Sequence, residues 1–234
     1  MTTRRCRVIA HRGASRRAPE NTLAAFRLAR DLGADMVELD ARHTLDRVVV
    51  VHHDAFLADG RAIVARRAAS LPAHVPTLAD ALDACAGMHV NVEIKNSPGD
   101  PDHDPDDLHL DEILAVMQAK RPCAELLVSS FNAVTVARVR ARVPQLATAQ
   151  LTYRFVDPVV VVQAAVEAGH RALHPFDPTV DETLVERAHR AGLDVNVWTV
   201  DDESRMRALV AMGVDGICTN VPDVLRVVVD EIRG

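Results

Sequence analysis

The stretch DVNVWTVDDESRMRALVAMGVDGICT, residues 194–219, carries a strand pattern over Asp194–Thr199, a helical pattern over Glu203–Met212 and a second strand pattern over Gly216–Thr219. Gly213 follows the helix, where a left-handed cap is expected. Two apolar strands joined by an amphipathic helix make a βα unit, and such units build parallel sheets. The rhythm continues on both sides of this stretch. Strand patterns cover Arg7–His11, Met36–Asp40, His89–Lys95, Glu125–Ser129, Ala147–Leu151 and Arg171–His174. Helical patterns cover Thr22–Leu32, Leu78–Ala86, Leu110–Ala119, Ala133–Arg142, Pro158–Ala168, Val180–Ala191 and Val224–Ile232, several ending before a glycine such as Gly33, Gly169 or Gly192.

Eight βα units close a barrel, and ~250 residues is its usual size, against 234 here. A doubly wound open sheet is the rival, but no glycine-rich phosphate loop opens a helix. The expected fold is therefore α/β, a single (β/α)8 TIM-like barrel over residues 1–234. Arg42–His53 reads as a small hairpin after the second strand, with Val48–Val51 as its return arm. Ala55–Pro76 reads as a polar, Arg-rich linker, and Asn96–Asp107, rich in Pro and Asp, as a mobile loop.

An apolar fraction of 48% is that of a globular chain with a full core. The net charge of -6 argues against nucleic acid as a partner. No apolar run approaches the ~20 residues of a membrane span, so stable membrane insertion is not expected. Met1–Arg7 is polar and basic and leaves no room for a signal peptide, which makes the expected location cytoplasmic. Cys6, Cys85, Cys123 and Cys218 are scattered, with no Cys-x-x-Cys pair, and read as small residues in a reducing compartment. Nothing in the sequence sets an oligomeric state.

Barrel chemistry sits at the carboxyl ends of the strands. His11-Arg12, Glu38 and Asp40, Glu93 and Lys95, Ser130, His174 and Trp198 all fall at or just past such ends. Glu38 and Asp40 are two apart on a strand and share a face, as do Glu93 and Lys95 on the next. Three convergent carboxylates need a cation: either a metal ion or salt bridges to Arg12, Arg42 and Lys95. If a metal, the all-oxygen donor set favours Mg²⁺ or Ca²⁺, with Mn²⁺ also compatible, over zinc. His11 closes the first strand and His53 ends the hairpin, so both can face that cation, whereas His52 should point away. The histidines at 52, 74, 89, 103, 109, 170 and 189 read as surface or packing residues. Asn21 or Thr22 can cap the first helix, and Asn21 can also reach the site. Trp198, the sole tryptophan, is either pocket wall or core.

The clusters His11-Arg12-Gly13, Pro19-Glu20-Asn21-Thr22, Glu38-Leu39-Asp40 and His53-Asp54 occur in order in the first quarter of the chain. Val92-Glu93-Ile94-Lys95, Ser130-Phe131-Asn132, Val197-Trp198-Thr199-Val200 and Gly213-Val214-Asp215-Gly216-Ile217 follow. Together they resemble the glycerophosphodiester phosphodiesterase family. The resemblance implies metal-dependent hydrolysis of a glycerophosphodiester to sn-glycerol 3-phosphate and an alcohol such as choline or ethanolamine. It implies His11 and His53 as acid and base, a divalent ion on Glu38, Asp40 and Glu93, and Arg12 and Lys95 against the substrate phosphate, with charge balance as their alternative role. Trp198 would line the substrate pocket. It also implies a cyclic phosphate that water opens as the histidines exchange roles. A relative cleaving lysophospholipids or glycerophosphoinositol would use the same site with a wider pocket. A non-catalytic barrel that merely binds phosphodiesters has no need for all five of His11, Glu38, Asp40, His53 and Glu93. Family members commonly carry a longer segment where Ala55–Pro76 stands, so a less covered site is expected here.

Overall fold

The computed structural model describes residues 5–154 and 157–232; the basic start of the amino-terminal stretch, Met1–Arg4, lies outside them. Among the described residues, eight parallel strands close into a barrel in the order β1 (Arg7–His11), β2 (Met36–His43), β4 (His89–Ile94), β5 (Leu126–Ser130), β6 (Ala147–Thr152), β7 (Ala172–Pro175), β8 (Asp194–Val197) and β9 (Gly216–Thr219). Pairing of β1 with both β2 and β9 completes the closure. The helices α1 (Leu23–Asp31), α2 (Leu78–Ala84), α3 (Leu110–Lys120), α4 (Ala133–Arg142), α5 (Pro158–Glu167), α6 (Glu182–Arg190), α7 (Glu203–Met212) and α8 (Pro222–Glu231) follow the barrel strands in turn. This is the TIM-like architecture that the alternating pattern predicts.

The period of two along each strand divides the residues between two environments. Val8, Ala10, Val37, Leu39, Ala41, Val90, Val92 and Ile94 belong to the main apolar cluster shared with the helices. The residues between them face the barrel interior, where Ile9, Met36 and Cys218 form a separate small cluster with Trp198 packed on it. The same alternation sends His11, Glu38, Asp40 and Glu93 inward at the upper ends of β1, β2 and β4. Core packing against the helices therefore fixes the register of the polar site.

The four expected cap glycines all have positive φ, from 70° at Gly169 to 84° at Gly213. Gly213 is the left-handed cap of α7. Gly13 has φ 84° and no room besides: a Cβ there would lie 2.6 Å from the Ala25 backbone. Helix α1 can thus dock directly under the loop that carries His11 and Arg12. Cys6, Cys85 and Cys218 are buried free thiols, and Cys123 is half-buried.

Three segments differ from their expected form. Strand β2 runs on to His43 and pairs antiparallel with β3 (Val49–Val51), so the hairpin grows out of the barrel strand itself. Buried Arg42 explains the extension, since its guanidinium donates to the His53 carbonyl at 2.8 and 2.9 Å and to Asp102 at 2.6 and 2.7 Å. Within 55–76, short 3₁₀ turns at Ile63–Ala65 and Ala68–Ser70 accompany a small apolar cluster of Leu57 and Ile63 with Val50 of β3. Leu71 and Val75 pack on this cluster while Phe56 stays exposed, so only part of the segment's apolar surface turns toward β3. The 96–107 loop is anchored rather than free: Asn96 donates to Asp107 at 2.7 Å and Thr135 at 3.0 Å, and Asp102 is held by Arg42.

Candidate active site

A pocket open to solvent occupies the carboxyl-terminal mouth of the barrel. Its wall includes His11, Arg12, Glu38, His53, Glu93, Lys95 and Trp198, so strands β1, β2, β4 and β8 and the β3 hairpin all contribute. The structure brings these predicted residues together, and Asp40 lies directly behind them.

Ligand atoms of Glu38, Asp40 and Glu93 lie within 4.8 Å of one another, and all three residues are buried. Two cations face them. Lys95 Nζ is 2.7 Å from Glu93 and 3.4 Å from Asp40, and Arg12 Nε is 3.3 Å from Asp40. Arg12 Nη1 is engaged by both oxygens of Glu20, at 2.9 and 3.0 Å. Three carboxylates against two cations leave an excess of negative charge in a poorly hydrated space. Burial, then the charges of Asp40 and Glu93, push the Glu38 carboxyl well above its ordinary value. Glu93 is raised by burial and by Asp40. Burial works against Asp40 as well, yet Lys95 and Arg12 together hold it below its usual value.

Glu38 Oε1 and Asp40 Oδ1 are buried oxygens without a hydrogen bond, the latter facing the Lys95 ammonium at 3.4 Å. Buried acceptors are ordinarily paired, so surplus charge and orphaned oxygens together fit a hard divalent cation. Salt bridges to Arg12 and Lys95 are also present, so charge balance and ion binding coexist. Arg42 is occupied with Asp102 and takes no part.

His11 Nε2 is 3.9 Å from Glu38, and its Nδ1 meets the amide oxygen of Asn220 at 2.8 Å. That oxygen accepts, so Nδ1 carries the proton and Nε2 presents a lone pair to the site when the ring is neutral. Asn220 Nδ2 in turn donates to Asp201 at 2.7 Å, which fixes the amide's orientation. His53 repeats the pattern, with Nδ1 donating to Asp54 at 2.7 Å. Burial is the main cause lowering the pKa of both rings; Arg12 adds to it at His11, and Lys95 at His53, where Asp40 opposes. His52 instead turns its Nδ1 to the Asp54 carbonyl at 2.9 Å and is not in the pocket wall.

The cap and the site divide the Asn21-Thr22 pair. Thr22 Oγ1 accepts from Ala25 and caps α1, while Asn21, at φ 56°, donates to Asp40 at 2.7 Å. Ser130 is structural, its hydroxyl donating to the Ile94 carbonyl at 2.7 Å. Trp198 serves both of its open readings: it lines the pocket, packs on the interior cluster, and donates through Nε1 to the His174 carbonyl at 2.8 Å. Asn220, Asn91 and Phe131 are site residues that sequence reasoning missed. Asn220 directly follows β9, and Phe131 directly follows β5. Asn91 shares the inward face of Glu93, two residues away. The strand-end and alternation rules already applied to their neighbours would have found all three.

Residues 11–224 match the model of the glycerophosphoryl diester phosphodiesterase family. A glycerophosphodiester phosphodiesterase of Caldanaerobacter subterraneus is 31% identical over 93% of this chain and 95% of its own. One from Bacillus subtilis is 26% identical over 92% and 83%. Among solved structures, an Oleispira antarctica phosphodiesterase in complex with the product sn-glycerol-3-phosphate superposes with a TM-score of 0.88 at 27% identity, covering 97% of each chain. The closed barrel, the acidic cluster with its two flanking histidines and these matches place the chain in the glycerophosphoryl diester phosphodiesterase family, as a phosphoric diester hydrolase.

Proposed function

We propose that this chain, acting as one barrel domain, hydrolyses glycerophosphodiesters to sn-glycerol 3-phosphate and an alcohol, with a divalent ion bound by Glu38, Asp40 and Glu93. The observation that carries the reading is the convergence of those three carboxylates with His11 and His53 at one barrel mouth. The ion, Mg²⁺ or Ca²⁺ by donor type, supplies Lewis-acid stabilisation of the charge that develops on phosphate. Lys95 and Arg12 add fixed positive charge where that phosphate sits.

His11 and His53 share the proton work through their Nε2 atoms, each ring being fixed at Nδ1 by Asn220 or Asp54. One imidazole takes the proton of the glycerol hydroxyl next to the phosphoester as that oxygen attacks phosphorus. The other, as imidazolium, gives a proton to the departing alcohol. The cyclic phosphate then opens with water as the two rings exchange roles, leaving glycerol 3-phosphate. The product bound by the Oleispira relative supports glycerol phosphate as the part retained.

Phosphorus-31 NMR of glycerophosphocholine incubated with the protein, with and without chelator, tests this reading. The expected result is metal-dependent formation of glycerol 3-phosphate. Full turnover after exhaustive chelation, or equal turnover of a diester lacking the neighbouring hydroxyl, would overturn it.

A further inference from the structure

The barrel mouth has a second half that the reaction does not use. The chain contains one Trp, one Tyr and five Phe, and four of these rings gather in one arc. Phe131, Tyr153, Phe176 and Trp198 each stand directly after a barrel strand, β5 through β8 in succession. Consecutive strands thus deliver consecutive rings. Tyr153 stacks on Phe176 at 4.7 Å, Phe176 meets Trp198 at 5.2 Å, and Phe131 meets Trp198 edge-on at 5.5 Å.

Isolated exposed apolar side chains are ordinary, but a contiguous group beside a cleft marks binding. Tyr153 is 52% exposed and Phe131 40%, and Phe131 and Trp198 also line the catalytic pocket. The arc is therefore continuous with the pocket at its mouth. The pocket's charged and polar wall includes His11, Arg12, Glu38, His53, Glu93 and Lys95, and a glycerol unit whose hydroxyl must reach His11 or His53 belongs there. The leaving alcohol is left over the rings.

Charge decides what kind of alcohol fits. Arg154 holds its guanidinium 5.7 Å over the Tyr153 ring, so a cation already occupies that face. Asp177, next to Phe176, is taken by Arg205 at 2.7 Å. The Tyr153 and Phe176 faces cover one another instead of surrounding a centre, unlike the cage that holds a quaternary ammonium.

We propose that the arc of Phe131, Tyr153, Phe176 and Trp198 binds an uncharged apolar leaving alcohol, making amphiphilic glycerophosphodiesters the preferred substrates. This rests on the hydrolytic reading above and names the substrate class within it.

A homologous series of glycerophospho-n-alkanols tests it, because leaving-group chemistry stays constant while apolar area grows. A methylene fully removed from water is worth about a fourfold gain. Half-burial on an open shelf gives about twofold, and so about tenfold or more in kcat/KM from the ethyl to the hexyl diester. Tyr153→Ser and Phe131→Ala should each cut that hexyl-to-ethyl ratio severalfold, and Tyr153→Trp should keep it. The ratio is read within each variant, so a general loss of activity does not disturb it. Trp198, the sole tryptophan, reports binding separately, and Kd from its fluorescence should tighten along the same series. Tighter binding without turnover would support the subsite and sink the hydrolytic reading. Turnover with no chain-length dependence in kcat/KM or Kd would overturn the subsite. So would a choline ester that outperforms the hexyl ester and loses its advantage in Tyr153→Ser.

Discussion

The two halves of the barrel mouth are built on the same plan and filled with opposite chemistry. Strands β1, β2 and β4 end in His11, Glu38, Asp40 and Glu93, all side chains tied to named partners and mostly buried. Strands β5 to β8 end in rings that touch chiefly one another and stand partly in water. A buried charge is stable only with its partners in place, so the first half tolerates little change of position or type. Ring contacts are non-directional by comparison, so the second half can be rebuilt without disturbing the first. If the proposed roles hold, reaction and selectivity are thereby separable in this fold.

The sharpest way to break the comparison is to remove the divalent ion proposed for the first half. Chelation should lower activity by about 10³-fold or more, corresponding to about 4 kcal/mol of transition-state stabilisation, and Mg²⁺, Ca²⁺ or Mn²⁺ should restore it. The ion should also raise the midpoint of thermal unfolding by relieving the repulsion among Glu38, Asp40 and Glu93. Glu38→Gln should abolish that ion-dependent rise, whereas Tyr153→Ser in the other half should retain it. A Glu38→Gln protein that still gains thermal stability from the ion would show that the ion binds elsewhere.

Next in size are the histidines. His11→Ala and His53→Ala should each lower kcat by about 10²-fold or more with unfolding unchanged, the scale of a general acid or base. His52→Ala, whose ring is turned away, should stay within about twofold. Loss of activity on changing His52 but not His53 would mean that the hairpin presents its other face to the substrate.

The sequence makes the first half far more legible than the second. A carboxylate pair two residues apart on a strand declares its face, and His11-Arg12, Glu38, Asp40 and Glu93 could each be placed by counting. The strands and helices were equally open to counting, because apolar alternation and capping glycines are local signals. The aromatic arc is different: counting can place Phe131, Tyr153 and Phe176 each just past a strand end, but only closure of the barrel shows that they meet one another and Trp198. The 96–107 loop misled for a related reason. Its Pro and Asp content describes a solvated segment, but Asp102 and Asp107 are engaged by Arg42 and Arg138, which are distant in sequence. Strand β2 ran past its expected end because Arg42, polar by type, is buried by that same contact.

Asn220 offers a finer test of how the first half works. It is not itself part of the pocket wall and acts through His11 Nδ1. In Asn220→Ala the ring loses the acceptor that keeps its proton on Nδ1, so the wrong tautomer becomes available. The expected loss is about tenfold in kcat, or about 1.4 kcal/mol, with KM little changed. Asn220→Asp should recover only part of it, because its carboxylate also accepts from Nδ1 but sets its second oxygen against Asp201. A parallel fall in kcat and thermal stability, without recovery in the aspartate variant, would make Asn220 a packing residue.

The effect that is smallest near pH 6 belongs to the aromatic half and is a matter of pH. His174, buried beneath the arc, accepts from Asn196 through Nε2 at 2.9 Å while its carbonyl holds the Trp198 indole. Burial, helped by the charge of Arg7, pushes its pKa down to about 3. Unfolded, the ring titrates near 6.5, so between those values the unfolded chain binds a proton that the native one refuses. Its stabilisation is therefore complete above pH 6.5 and is lost as pH falls toward 3. The loss from this residue should be just under ~1 kcal/mol at pH 6 relative to pH 8 and should grow as pH falls further. His174→Gln keeps an acceptor for Asn196 and has nothing to titrate, so its stability should fall less over the same interval. Subtracting the two denaturation profiles cancels the carboxylate cluster and the other histidines, which both proteins share. A difference that stays flat from pH 8 to pH 5 would mean that His174 is protonated in the native state, with a counter-charge inside the barrel. In that case the floor beneath the rings would be as polar as the half opposite, and the contrast between the two halves would hold only at the rim.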